Sequence, residues 1–276
     1  MDLNECYNTH EESTPEDKEF SFRGYWGSEL LRPFVEHSKK GVHYCIYCGS
    51  IADTREHVPS KVFLDKSITT DNLPTLPACY KCNNGFSSDE LYTNAYIECV
   101  KSFIGDNNYT ALELNPTDRK EVIEAKNAVK QACENGTFPI DGRIERILCK
   151  LAIGHIAYEL FELINSDSFS VENVSIGYVF KCSVNKGIWD SLETIELIEN
   201  DVFPEVGSRA FRNMCVLNIS NGNADNSLTN HHLFMDWTYI QDGVYRYIAL
   251  YDEDSIVVKM IIRDYLYAEV VFRKNQ

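Results

Sequence analysis

The stretch CIYCGSIADTREHVPSKVFLDKSITTDNLPTLPACYKCNNGF, residues 45–86, holds two CxxC knuckles, Cys45-Ile46-Tyr47-Cys48 and Cys79-Tyr80-Lys81-Cys82, separated by 30 residues. A two-residue gap lets both sulfurs of a knuckle turn toward one ion, and two knuckles complete a tetrahedral thiolate site with no open coordination position. Such a closed site stabilises a fold and leaves no place for a reacting water, so a zinc ion held by Cys45, Cys48, Cys79 and Cys82 is expected to be structural. The competing reading is that these cysteines are buried small apolar residues. Gly49, Pro59, Pro74 and Pro77 punctuate the segment between Tyr44 and Cys82, which reads as short strands and loops with no long helix.

Working outward, Ser87 and Glu90 have the three-residue offset of a capping box ahead of an apolar-periodic run, which predicts a helix from Ser87 to about Ile104, ended by Gly105. An amphipathic stretch precedes the knuckles, from about Ser28 to His37. Downstream, residues 118–134 read as a mostly exposed helix stopped by Gly136, and residues 141 to about 164 as a much more buried one. Beyond Ser168 the pattern turns to β, with strands expected over 171–184, 214–219, 232–240, 245–251, 256–262 and 265–272. Asp242-Gly243 between two of them is a hairpin signal. Trp237 and Tyr239, spaced by two, are expected on one sheet face.

The formal net charge is −16, from 42 acidic and 26 basic residues, so the surface as a whole is not a polyanion-binding field and any nucleic-acid contact must be local. Residues 1–20 carry seven acids against the single base Lys18 and read as a solvated arm. No run approaches the roughly 20 apolar residues of a membrane span, and the acidic N-terminus is unlike a signal peptide. The expectation is a soluble, cytoplasmic protein without membrane contact. Ten cysteines in a reducing compartment point to metal before disulfides.

The order of the polar residues in the opening stretch is more than a zinc ribbon requires. Glu56-His57 lies between the knuckles, Asn72-Leu73 follows, and Asn83 comes directly after the last cysteine. In that order, from Cys45 to Asn83, the sequence resembles the HNH endonucleases, the ββα-metal nucleases, in their four-cysteine zinc-bearing form. The likeness covers about residues 44–92 and thins to a helix around Lys150–Gly154.

This resemblance implies that His57 is the general base that deprotonates the attacking water, and that Glu56 and Asn83 hold a catalytic divalent cation, with Asn72 bracing the loop and orienting His57. Glu stands where Asp is more usual, and Asn83 where His is common, so Mg²⁺ or Mn²⁺ is expected over softer ions. The implied reaction is phosphodiester hydrolysis of DNA, with RNA as the alternative substrate, leaving 5′-phosphate and 3′-hydroxyl ends. A role in defence or in mobile elements goes with the likeness by analogy only.

The expected fold class is α+β. An acidic arm (1–20) precedes a ββα-metal nuclease module (21–105), and a helical segment with a mostly antiparallel β-rich domain follows (106–276), offering a surface for a protein partner or self-association. The alternative is a non-catalytic zinc module that binds a protein or a nucleic acid. Arg55, Lys61, Lys66 and Lys81 are either a basic rim for phosphates or an ordinary solvated face. Glu90 is explained by its capping position, His43 as a surface residue and His155 as a core histidine. His10-Glu11-Glu12 spells the HxE of a zinc deaminase, but that reading leaves Cys45 and Cys48 unexplained.

Overall fold

In the computed structural model, which describes residues 44–66, 73–160, 162–164, 169–194, 197–198, 204, 208–220, 229–252 and 254–275, the segment between the knuckles forms two short strands. β1 (Thr54–His57) and β2 (Thr75–Ala78) pair antiparallel, with Thr54 opposite Ala78 and His57 opposite Thr75. The acidic arm, the stretch at 28–37, His43 and Asn72 lie outside the described residues. α1 (Tyr80–Val100) follows β2 immediately.

Helix α1 begins seven residues before the expected Ser87. Cys79 is its N-cap, with Sγ accepting from the Cys82 backbone N–H at 3.4 Å, so the second knuckle is itself the first helical turn. Ser87 instead donates to the Asn84 carbonyl at 2.8 Å inside the helix, a local bond that serines make without capping anything. The helix runs on as a π-helical turn over Lys101–Gly105. A side chain at Gly105 would come within 2.7 Å of the Tyr265 ring, which explains a glycine there.

α2 (Lys120–Asn135) ends where expected, at Gly136 in the left-handed conformation, φ +69°. α3 (Gly142–Glu159) is capped by Asp141, whose carboxylate accepts from the backbone N–H groups of Arg143 and Ile144. It stops at Glu159 instead of near Ile164. Leu163 and Ile164 still pack into the same core, so the apolar spacing outran the helix.

The rest of the described chain is β3 (Phe169–Phe180), α4 (Lys186–Glu193), β4 (Leu197–Ile198), α5 (Arg209–Arg212), β5 (Met214–Ser220), β6 (Thr229–Met235), β7 (Thr238–Gln241), β8 (Tyr245–Asp252), β9 (Ser255–Ile262) and β10 (Leu266–Lys274). Two antiparallel sheets result, one ordered β3-β10-β9-β8-β7 and one ordered β4-β6-β5. The fold is therefore α+β with mostly antiparallel sheet. The strand expected over 232–240 is two strands, because the chain leaves the small sheet at Asp236-Trp237 and enters the large one. Trp237 is buried before β7 begins, whereas Tyr239 is exposed, so the two do not share a face. The Asp242-Gly243 turn joins β7 to β8, with Gly243 at φ +66°.

Both faces of the large sheet are covered. Tyr245, Tyr247, Val258, Met260, Ala268 and Val270 face the core that contains α3. The alternate positions Ile248, Leu250, Val257, Ile261 and Tyr267 face a smaller cluster built around Trp189 of α4, Leu233 and Met235. The larger core is continuous from the first knuckle, through Leu76, Phe86 and α3, to β10. Gln241 of β7 reinforces this by exchanging two hydrogen bonds with the Asp65 backbone.

His155 is the core histidine expected. It is fully buried, its Nε2 is 2.8 Å from the Tyr245 hydroxyl, and its ring stacks on Tyr247 at 3.6 Å. Burial, and then the nearby Arg209 charge, hold its pKa well below 6.5. The unfolded chain therefore binds a proton that the folded chain refuses, and stability should fall as pH drops below about 6.5, by up to about 1.4 kcal/mol per unit from this group. A His155→Gln variant is expected to show a shallower decline between pH 6.5 and 5 in urea titrations. An identical slope would remove His155 as the cause.

Beside it Glu159, fully buried, accepts from Arg209 Nε at 3.3 Å, from the Ala210 backbone N–H at 2.8 Å and from the Tyr247 hydroxyl. Arg209 also donates to the Val58 carbonyl at 3.1 Å, which ties α5 to the residue after His57. Glu159→Ala strands a desolvated guanidinium and is expected to lower the unfolding free energy by about 3–5 kcal/mol. Denaturant melts check this; a loss under about 1 kcal/mol would mean that the pair is dispensable.

Candidate functional site

The first knuckle is a tight turn. Gly49 takes a left-handed φ of +71°, and its N–H bonds the Cys45 carbonyl at 2.8 Å while the Cys45 N–H bonds the Ser50 carbonyl at 2.7 Å. Cys45 and Cys48 thereby face the start of α1, which carries Cys79 and Cys82. All four sulfurs lie within 4.8 Å of one another, and Cys48 and Cys79 are 3.7 Å apart. A zinc–sulfur length of about 2.3 Å gives a tetrahedral edge of about 3.8 Å, so these sulfurs are spaced to hold a metal ion such as zinc.

Hydrogen bonds from Cys48, Cys79 and Cys82 push the Cys45 thiol up, while the bond with Cys45 pulls Cys48 well down and Cys79 to about 6. A bound ion would take the place of the thiol protons. Among the described residues, this is the one group of three or more His, Cys, Asp or Glu side chains close enough to hold an ion together.

Strand β1 carries the next two candidates on opposite faces, as alternation requires. Glu56 is turned inward and is 7% exposed, while His57 is half-buried. Burial lowers the His57 pKa, with the ammonium groups of Lys61 and Lys150 acting in the same direction, so its imidazole is neutral at pH 7. Asn83, on the first turn of α1, donates from Nδ2 to Thr54 Oγ1 at 3.1 Å and to the Arg55 carbonyl at 3.2 Å. The helix start is thus stitched to β1 two residues before His57. The amide NH₂ makes both bonds.

Glu56 is engaged elsewhere. Its Oε1 accepts from Lys150 Nζ at 3.0 Å and from Ser60 Oγ at 3.0 Å. Lys150, reaching in from α3 and 1% exposed, also donates to Ser60 Oγ at 2.5 Å and to Glu90. Burial is the largest influence on the Glu56 carboxyl and raises its pKa, against the pull of Lys150.

Glu90 is therefore a partner of Lys150 and not half of a capping box. No motif in the sequence marks Lys150 or Ser60 as part of this cluster. The available signal is a single lysine inside the apolar run 147–153, beside Ile147, Leu148 and Leu151. Arg55, Lys61, Lys66 and Lys81 all lie at the surface.

Among the described residues no helix is long and apolar enough to cross a membrane. Compared with known proteins, the chain matches no family model, no curated protein and no solved structure.

Proposed function

We propose that the four-cysteine module is an endonuclease of the ββα-metal, HNH kind, hydrolysing phosphodiester bonds of DNA, with RNA as the alternative substrate. The observation that carries this reading is the meeting of β1 and the first turn of α1 around one cysteine cluster, with His57 half-exposed on β1 and Asn83 bonded to the same strand. In this reading Zn²⁺ is the ion held by Cys45, Cys48, Cys79 and Cys82, and it keeps the strand pair and the helix together without taking part in the reaction.

His57 takes a proton from a water as that water's oxygen bonds to phosphorus, the P–O3′ bond breaks, and the 3′-oxygen is protonated from solvent. The products carry a 5′-phosphate and a 3′-hydroxyl. A neutral imidazole is a suitable base for this step.

A divalent cation such as Mg²⁺ or Mn²⁺ would supply charge neutralisation at the leaving oxygen. The Oδ1 of Asn83 suits a hard ion. Glu56 does not fit the role as it stands, since its carboxylate is buried against Lys150 and Ser60.

The same Glu56 contact favours a second reading, a non-catalytic zinc module. In both readings the remainder of the chain, residues 106–276, offers a partner or self-association surface, and a reducing, cytoplasmic compartment keeps the thiolates available to metal.

The test is incubation of zinc-loaded protein at neutral pH with supercoiled plasmid and with a structured RNA, each with and without Mg²⁺ or Mn²⁺. Nicked plasmid or cut RNA supports the nuclease. Intact substrates in every arm leave the non-catalytic module.

A further inference from the structure

The ion-pair cluster behind β1 is built as a cation site whose cation is a side chain. Lys150 has three ammonium protons, and three acceptors surround it: Glu56 Oε1 at 3.0 Å, Ser60 Oγ at 2.5 Å and Glu90. The Phe86 ring lies 5.3 Å from the same nitrogen. Each donor is used, so the ammonium is held in one place.

A hydrated Mg²⁺ needs about six oxygens at about 2.0–2.1 Å and keeps several waters. With Glu56, Ser60 and Lys150 at 7%, 4% and 1% exposure, the inner face of β1 has no room for such a shell beside the ammonium. Neighbouring charge does not relieve the competition. Arg146 is committed to Asp89, and among the described residues Lys150 is the cation paired with Glu56.

We propose that the Lys150 ammonium is the resident cation of Glu56, so that a divalent ion gains Glu56 only by displacing Lys150. The proposal rests on the nuclease reading only for what Glu56 would otherwise hold, and it concerns ion binding, not cleavage. It also goes against the expectation that Glu56 and Asn83 form a ready-made Mg²⁺ or Mn²⁺ site.

Binding of Mn²⁺ to the zinc-loaded full chain, followed by electron paramagnetic resonance, tests it. Wild type and Glu56→Gln should bind Mn²⁺ equally weakly. Lys150→Met should gain one site at least about tenfold tighter than wild type, about 1.4 kcal/mol. That gain should vanish in Lys150→Met/Glu56→Gln and stay absent in Lys150→Arg.

A wild-type Mn²⁺ site that Glu56→Gln abolishes would overturn the proposal, as would a folded Lys150→Met with no gain. If Lys150→Met does not fold, wild type against Glu56→Gln decides alone: equal binding supports displacement, and a loss refutes it. Failure of plasmid cleavage would remove the nuclease and leave this result standing.

Discussion

A Cys82→Ala variant is expected to lose the zinc that the four sulfurs are spaced to hold and, with it, the ordered packing of β1, β2 and α1. Cys82 is 1% exposed in the first turn of α1, and its sulfur is one of four within 4.8 Å. Three thiolates cannot close the tetrahedron, and structural zinc in a small module contributes about 10–16 kcal/mol of binding free energy that is also folding free energy. The apolar neighbours Leu76, Phe86 and Tyr47 belong to the main core and remain buried only while β1, β2 and α1 keep their register.

The variant should therefore fall from one zinc per chain to near zero by elemental analysis, and its thermal unfolding should move down or split into two transitions. Retention of one zinc with an unchanged melt would show that the cysteines are packing residues and not ligands. Chelation of the wild-type protein should reproduce the variant.

The second large effect is expected from His57→Ala. In the proposed nuclease a positioned general base contributes about 10²–10⁴-fold to the hydrolytic rate, so any plasmid nicking by the wild type should drop by that factor. Zinc content should not change, because His57 is not among the four sulfur ligands. Stability should move by no more than about 0.5 kcal/mol, since the side chain is half-exposed.

The neutral ring follows from its surroundings: burial first, then the positive charges of Lys61 and Lys150. A His57→Ala protein that nicks within about threefold of wild type would take His57 out of the mechanism. A variant that instead lost zinc would show that β1 depends on this side chain for its fold.

Much of this molecule was written in local chemistry. The knuckle spacing announced the cysteine cluster, because a two-residue gap constrains where two sulfurs of one turn can point. Gly136 marked a helix end, Asp141 a helix start and Asp242-Gly243 a hairpin, each through a backbone geometry or a cap that depends on neighbours within four residues. Strands β8, β9 and β10 were legible because β-branched and aromatic residues cluster in them. The order Glu56-His57, Cys82-Asn83 was visible as well.

Where two local signals competed, the sequence pattern misled. Ser87 with Glu90 imitates a capping box, yet Cys79 caps the helix eight residues earlier, because closing the cysteine cluster forces the turn to begin there. Leu163 and Ile164 extended the helical spacing of α3 past Glu159, since tertiary burial asks for apolar residues whether or not the backbone is helical. The break between β6 and β7 could not be read from 232–240, where the chain changes sheets without a proline or glycine.

The sequence by itself determined the α+β class, the two CxxC knuckles and the adjacency of an acid and a histidine between them, because each is read from residue spacing and periodicity along the chain. Only the tertiary structure decided what the acid faces. Lys150 lies 94 residues from Glu56 and meets it because α3 passes behind β1, and Arg209 reaches Val58 across 151 residues. Ion pairs of that kind depend on how helices and sheets stack, and a desolvated charge accepts whichever opposite charge the packing delivers.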